Sequence, residues 1–169
     1  MKNLLKVVFV IAFAMLANST FAQQKFAHIN RTELIQSMPD FKTAQEKLEA
    51  YYKEISAQLE EGQVEINKKL VAYQNLPTTS TEEEKEAKMK QIQDMSRRLE
   101  EQKQTAQEDL QKKEQDLFAP VLKKAGDAIN KVAASGGYVY VFESTAVHYV
   151  DETLSTNILS AVKKELGIN

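Results

Sequence analysis

Apolar residues recur along this chain in distinct rhythms, and each rhythm predicts a different kind of element. From Phe41 to Leu76 the rhythm is a heptad, with one series at Phe41, Leu48, Ile55, Gly62, Lys69 and Leu76 and another at Gln45, Tyr52, Leu59, Ile66 and Tyr73. Eight of these eleven positions are apolar or tyrosine, which makes the narrow seam of a coiled coil rather than the broad stripe of a globular helix. The stretch holds no proline and one glycine, Gly62, which is either a bending point or a tolerated imperfection costing about 1 kcal/mol against alanine. The pattern stops at NLPTTST, where Pro77 breaks the helix. Ser80 with Glu83, or Thr81 with Glu84, then supplies a capping box for a second helix starting near Glu82. That helix carries Met89, Ile92, Met95, Leu99, Ala106, Leu110 and Leu117 as sparse apolar positions, with Lys103 and Lys113 intruding. The two helices are of nearly equal length, roughly 55 Å each at 1.5 Å per residue. Joined by a short loop, they predict an antiparallel hairpin over 41–118 with its tip at about 76–82.

Past Pro120 the face broadens to Val121, Leu122, Ala125, Ile129 and Val132, and this end of the helix is expected to pack into a core. Pro120 either kinks the helix or separates two helices, and Ser135, Gly136 and Gly137 end it. Strand patterns flank this helical region. KFAHIN reads as one strand, followed by Asn30 and Glu33 as a capping box for a short helix. GGYVYVFESTAVHYV contains two β-rich runs around a polar turn and looks like a hairpin of strands. Tyr138, Tyr140 and Phe142 share one face there and Val139 and Val141 the other, so both faces are expected to be buried. A closing helix follows, with Ser155 as its cap and Ile158, Leu159, Val162 and Leu166 as its apolar face. The predicted fold class is therefore α+β. A small β-sheet body, residues 23–40 and 119–169, carries a long antiparallel coiled-coil hairpin inserted between its strands. So small a body buries little of its surface and leaves strand edges open, which predicts an oligomer held by the body.

The first 22 residues, MKNLLKVVFVIAFAMLANSTFA, lie outside this folding pattern. Lys2 and Lys6, the apolar run from Val7 to Ala17, and the small residues Thr20 and Ala22 form a secretory signal peptide over 1–22. The apolar run falls short of the about 20 residues a membrane span needs. With no cysteine in the chain, disulfides and a lipid-modified cysteine are excluded. Without the leader, 20 basic residues face 24 acidic ones, which argues against nucleic acid as the main partner. Catalytic chemistry finds no footing either. The two histidines, His28 and His148, lie in strand candidates, and there is no phosphate loop or HExxH spacing. No enzyme, metal or cofactor is expected.

The leader, KFAHIN with NRTELIQSM, the charged helical hairpin, and LFAPVLKKAGDAINKVAASGGYVYVF before a short final helix together resemble the Skp/OmpH family of periplasmic chaperones. The most specific part is Pro120 through Gly137 leading into Tyr138. The resemblance implies a homotrimer whose β-rich bodies join and whose hairpins extend as tentacles around a cavity. There unfolded outer-membrane β-barrel proteins are held without ATP in the periplasm. On that reading Ile29, Tyr138, Tyr140, Val141, Phe142, Val147 and Tyr149 form the oligomer interface. Leu76, Met89 and Met95 contact clients, although methionine at helical spacing also suits plain core, and Gly62 and Pro120 are hinge candidates. Two departures stand out. The chain has Thr153, Leu154 and Ser155 where relatives often carry Asp-hydrophobic-Thr, and residues 40–118 hold 13 basic against 18 acidic residues. Binding to anionic lipid or lipopolysaccharide is therefore not carried over. The alternative function is a structural coiled-coil spacer or adaptor of the cell envelope.

Overall fold

The computed structural model describes residues 24–168, so the leader expected over 1–22 lies outside the described residues. The elements are β1 (Lys25–Ile29), α1 (Arg31–Ser37), α2 (Pro39–Gln74), α3 (Glu82–Gly136), β2 (Tyr138–Glu143), a 3-10 turn (Ser144–Ala146), β3 (Ser155–Asn157) and α4 (Leu159–Glu165). The fold is α+β, with the helical hairpin inserted between β1 and β2 as the apolar rhythms predict. Two compact units divide the described chain, residues 24–31 with 127–168 and residues 32–126. The continuous 55-residue α3 contributes to both.

In the first unit the strand order is β2-β1-β3, with β1 parallel to both neighbours. Parallel strands need a crossover rather than a tight turn. The β1-to-β2 crossover runs through α1, α2 and α3. This corrects the strand-hairpin reading of GGYVYVFESTAVHYV: β2 ends in the 3-10 turn, Val147 to Val150 form no strand, and the third strand is STN. The local cause is Asp151. Its carboxylate accepts from the Thr153 N–H at 2.9 Å and the Thr153 hydroxyl at 2.6 Å, while its carbonyl accepts the N–H groups of Leu154 and Ser155. The chain turns there and comes back parallel to β1, with Phe26 opposite Ser155 and His28 opposite Asn157. Ser155 thus opens a strand instead of capping α4. Its hydroxyl lies 2.9 Å from His28 Nδ1, and Asn157 Oδ1 accepts the Leu159 N–H at 3.0 Å in its place. Both carboxylate oxygens of Glu143 lie 3.2 Å from the Arg31 N–H, tying the end of β2 to the start of α1. The apolar residues buried in this unit are Ala27, Ile29, Ala128, Ile158 and Val162, and Lys131 pairs with Glu165 across α3 and α4.

The second unit is the hairpin. Met38 is extended, as a residue before proline must be, and Pro39 takes the first turn of α2. The seam of α2 runs through Phe41, Ala44, Leu48, Tyr51, Ile55, Leu59, Gly62, Ile66, Lys69 and Tyr73, all buried or half-buried. Its steps alternate between three and four except at Tyr51–Ile55–Leu59, where two fours follow each other. Hence the second predicted series is right from Leu59 onward and wrong before it: Gln45 and Tyr52 face solvent, and Ala44 and Tyr51 replace them. An extra four-residue step of this kind relaxes the supercoil locally. At the tip, Asn75 Nδ2 donates to the Val71 carbonyl at 2.9 Å. Of the two capping boxes the sequence allows, Thr81 with Glu84 forms, with reciprocal bonds of 3.2 Å. Pro120 lies inside the continuous α3, so the reading of two helices meeting there does not hold.

Candidate interaction surfaces

Alternation along β1 and β2 puts Phe26, Tyr140 and Phe142 on one face of the sheet. Their ring centroids lie 6.3, 6.3 and 5.9 Å apart, with Phe26 and Tyr140 nearly coplanar in orientation at 8°. Tyr140 and Phe142 are 58% and 44% exposed, and the segment after β2 adds Val147, Leu154 and the 81% exposed Tyr149. Phe26, Phe142, Val147, Tyr149 and Leu154 border an apolar hollow of about 360 Å³. His28 is buried at its base. Asp151 stands on its rim, its carboxyl held below the ordinary range by the Thr153 hydroxyl and N–H. The expectation that both sheet faces are buried is therefore corrected for a single chain. Ala27 and Ile29 lie on a closed face, while the aromatic face is open, because covering two faces takes two layers.

The predicted interface residues divide accordingly. Tyr140, Phe142, Val147 and Tyr149 are on or beside the open face. Ile29 is buried on the other, and Val141 sits half-buried opposite Ala27. Tyr138 is half-buried, its ring over Gly136, and a register break beside it leaves Val139 as an extra, exposed residue. Two members of the aromatic face escaped the sequence reading. Phe26 was legible, since it alternates with His28 in KFAHIN; Leu154 gave no signal beyond being apolar in a loop.

Along the hairpin, Ile66, Ile92 and Leu99 form a buried cluster with Leu59, Tyr73 and Met95 packed against it. Met95 thus sits in the hairpin's own core, while Leu76 and Met89 are half-buried. A Cβ on Gly62 would come within 3.0 Å of Leu99 Cδ1, so the glycine makes room for that side chain. Nearer the base the seam opens into a groove of about 580 Å³ with Glu54, Gln58, Gln102, Thr105 and Asp109 among its walls. It coincides with the two consecutive four-residue steps. Beside it the Lys113 ammonium lies 5.3 Å from the Tyr51 ring centroid, a cation–π contact that accommodates a charge at a heptad position. At the base, Phe41 meets Phe118 at 5.4 Å and Asp40 pairs with Lys124 at 2.6 Å. Among the described residues no group of three or more His, Cys, Asp or Glu is placed to hold a metal, and no helix is long and apolar enough to cross a membrane.

Residues 25–166, the sheet strands and the whole hairpin, match the family described as Outer membrane protein (OmpH-like). The chain belongs to this OmpH-like family. Among its relatives, a Chaperone protein Skp from Vibrio cholerae serotype O1 is 23% identical over 169 residues, spanning 96% of this chain and 100% of that one. Another, from Yersinia enterocolitica, is 21% identical over 155 residues and spans 90% and 94%. The OmpH-like fold also recurs in the crystal structure of an OmpH-like outer membrane chaperone from Caulobacter crescentus, with a TM-score of 0.75 at 16% identity over 86% of this chain and 85% of that one. These relatives are named as chaperones, and the OmpH-like family is non-enzymatic.

Proposed function

We propose that the chain is an ATP-independent holding chaperone of the periplasm, keeping unfolded outer-membrane β-barrel proteins from aggregating in transit. The observation that carries this reading is the family match, which spans both the sheet and the hairpin. A holding chaperone binds many apolar segments weakly, and weak, varied contact needs open surfaces rather than a shaped pocket. Self-association through the aromatic sheet face is part of the proposal, with the trimer taken from the family resemblance. Joined there, three copies would hold clients between their hairpins. A coiled-coil spacer would instead be served by a regular seam, whereas this seam changes step at Tyr51, Ile55 and Leu59 and opens there into a groove. The test is aggregation of a denatured outer-membrane β-barrel protein diluted out of urea, with no nucleotide present. Suppression at near-stoichiometric chain is expected; unaltered aggregation would leave the spacer reading.

A further inference from the structure

Exposed large apolar side chains are distributed unequally over the two helices of the hairpin. Among the described residues they are Tyr52, Val64, Leu70 and Val71 on α2, and on α3 only Leu122, close to its base. Charge follows the opposite trend. Over Pro39–Gln74, 12 of 36 residues are charged, against 19 of 37 over Glu82–Phe118. At 3.6 residues per turn, Ala50, Ala57, Val64 and Val71 fall on the side of α2 facing away from the seam residues Ile55, Ile66 and Tyr73. All four are exposed, Val64 at 43% and Val71 at 54%. Valine is a poorer helix former than lysine or glutamate at a solvent position because its branched side chain is restricted there, so the hairpin's own stability does not favour these two residues.

We propose that the outer face of α2 toward the tip, centred on Val64 and Val71, is the surface that holds unfolded polypeptide. The outer face of α3 does not. The proposal rests on the chaperone reading and adds which helix meets the client. A second hairpin is a poor occupant for this face. Stable helix pairing takes two apolar positions in each heptad, whereas this stripe offers one, reduced to alanine at 50 and 57 and interleaved with Glu60, Glu61 and Lys68. Such a surface suits short apolar segments of an unfolded chain that bind and leave.

The test uses the full chain carrying Val64→Glu with Val71→Glu, and as a control Gln93→Glu with Gln104→Glu, which adds the same charge at exposed positions of α3. The chain needed to half-suppress aggregation of a denatured outer-membrane β-barrel protein should rise about tenfold (~1.4 kcal/mol) for the α2 variant and stay near wild type for the control. Unchanged suppression by the α2 variant, or equal loss in both, overturns the proposal while leaving the chaperone reading intact. Failure of the wild-type chain to suppress aggregation removes both. Should the glutamates reduce helicity by circular dichroism, a photo-crosslinking residue at position 64 or 71 decides instead. Crosslinks to the client, absent from positions 93 and 104, are expected; crosslinks to another copy of the chain, or none to the client, contradict the proposal.

Discussion

Two glycines show how differently a missing side chain is used. Gly62 faces Leu99 Cδ1, the far end of a flexible side chain, so its role is to let a seam residue approach. Gly136 is the last residue of α3, and a Cβ there would run into three ring atoms of Tyr138. The left-handed turn that ends the helix belongs to its neighbour Gly137, at φ 66°. From the sequence Gly136 reads only as a helix terminator, because its contact is with a ring two residues on. Gly136→Ala is expected to cost about 1–3 kcal/mol, the overpacking exceeding the gain in helix propensity. Most of that cost should vanish when Tyr138 is also alanine, since the two changes share one contact. Denaturant unfolding of the two single variants and the double variant measures it, and additive losses would mean the ring is not what Gly136 accommodates.

At the scale of elements, the long helices were legible because dozens of residues repeat one period, and the tip because proline and threonine interrupt it. The register change was not. Tyr51 and Tyr52 are adjacent and alike, so either can fill the seam in a heptad count, and only pairing with α3 chooses Tyr51. β3 was illegible for another reason: Ser155–Asn157 has no apolar residue and owes its place to β1 and to the Asp151 turn. Of the open aromatic face, the β2 residues were legible, and its exposure was not, since alternation shows which residues share a face but not whether a single chain covers it. The hairpin beyond the groove has its own cluster around Ile66, Ile92 and Leu99, so it should be removable as a piece. Joining residue 50 to residue 111 by a short flexible linker deletes it at the level where Tyr51 and Asp109 line the same groove. The shortened chain is expected to keep its sheet signature in circular dichroism and to lose client holding. Retained suppression of aggregation would place the holding surface on the sheet unit.

For the whole molecule the two open surfaces predict separable behaviour. Tyr140→Glu puts a charge on the aromatic face, where desolvating it in an interface is costly, and light scattering should show monomers with helicity intact. Oligomers of unchanged mass would remove this face from the interface. A charge at Val141 is a poorer test, because that side chain lies half-buried on the closed side opposite Ala27 and its loss would unfold the sheet. Electrostatics decides the remaining question, whether the hairpin also seeks membranes. Its 13 basic residues are outnumbered by 18 acidic ones over 40–118, and several are already engaged. Lys53 pairs with Glu49, Lys85 with Glu82, Arg97 lies between Asp94 and Glu101, and Lys103 pairs with Glu100. A lysine near an anionic leaflet gains only about 1 kcal/mol, and the surrounding carboxylates oppose it. Charge effects are screened over about 8 Å at physiological ionic strength, while apolar contact is not. Binding to anionic vesicles should therefore be weak at every salt concentration, and client affinity should fall only a few-fold from low to high salt. Tight vesicle binding at moderate salt, or client affinity collapsing by orders of magnitude, would show that a local basic face of the hairpin outweighs its net charge.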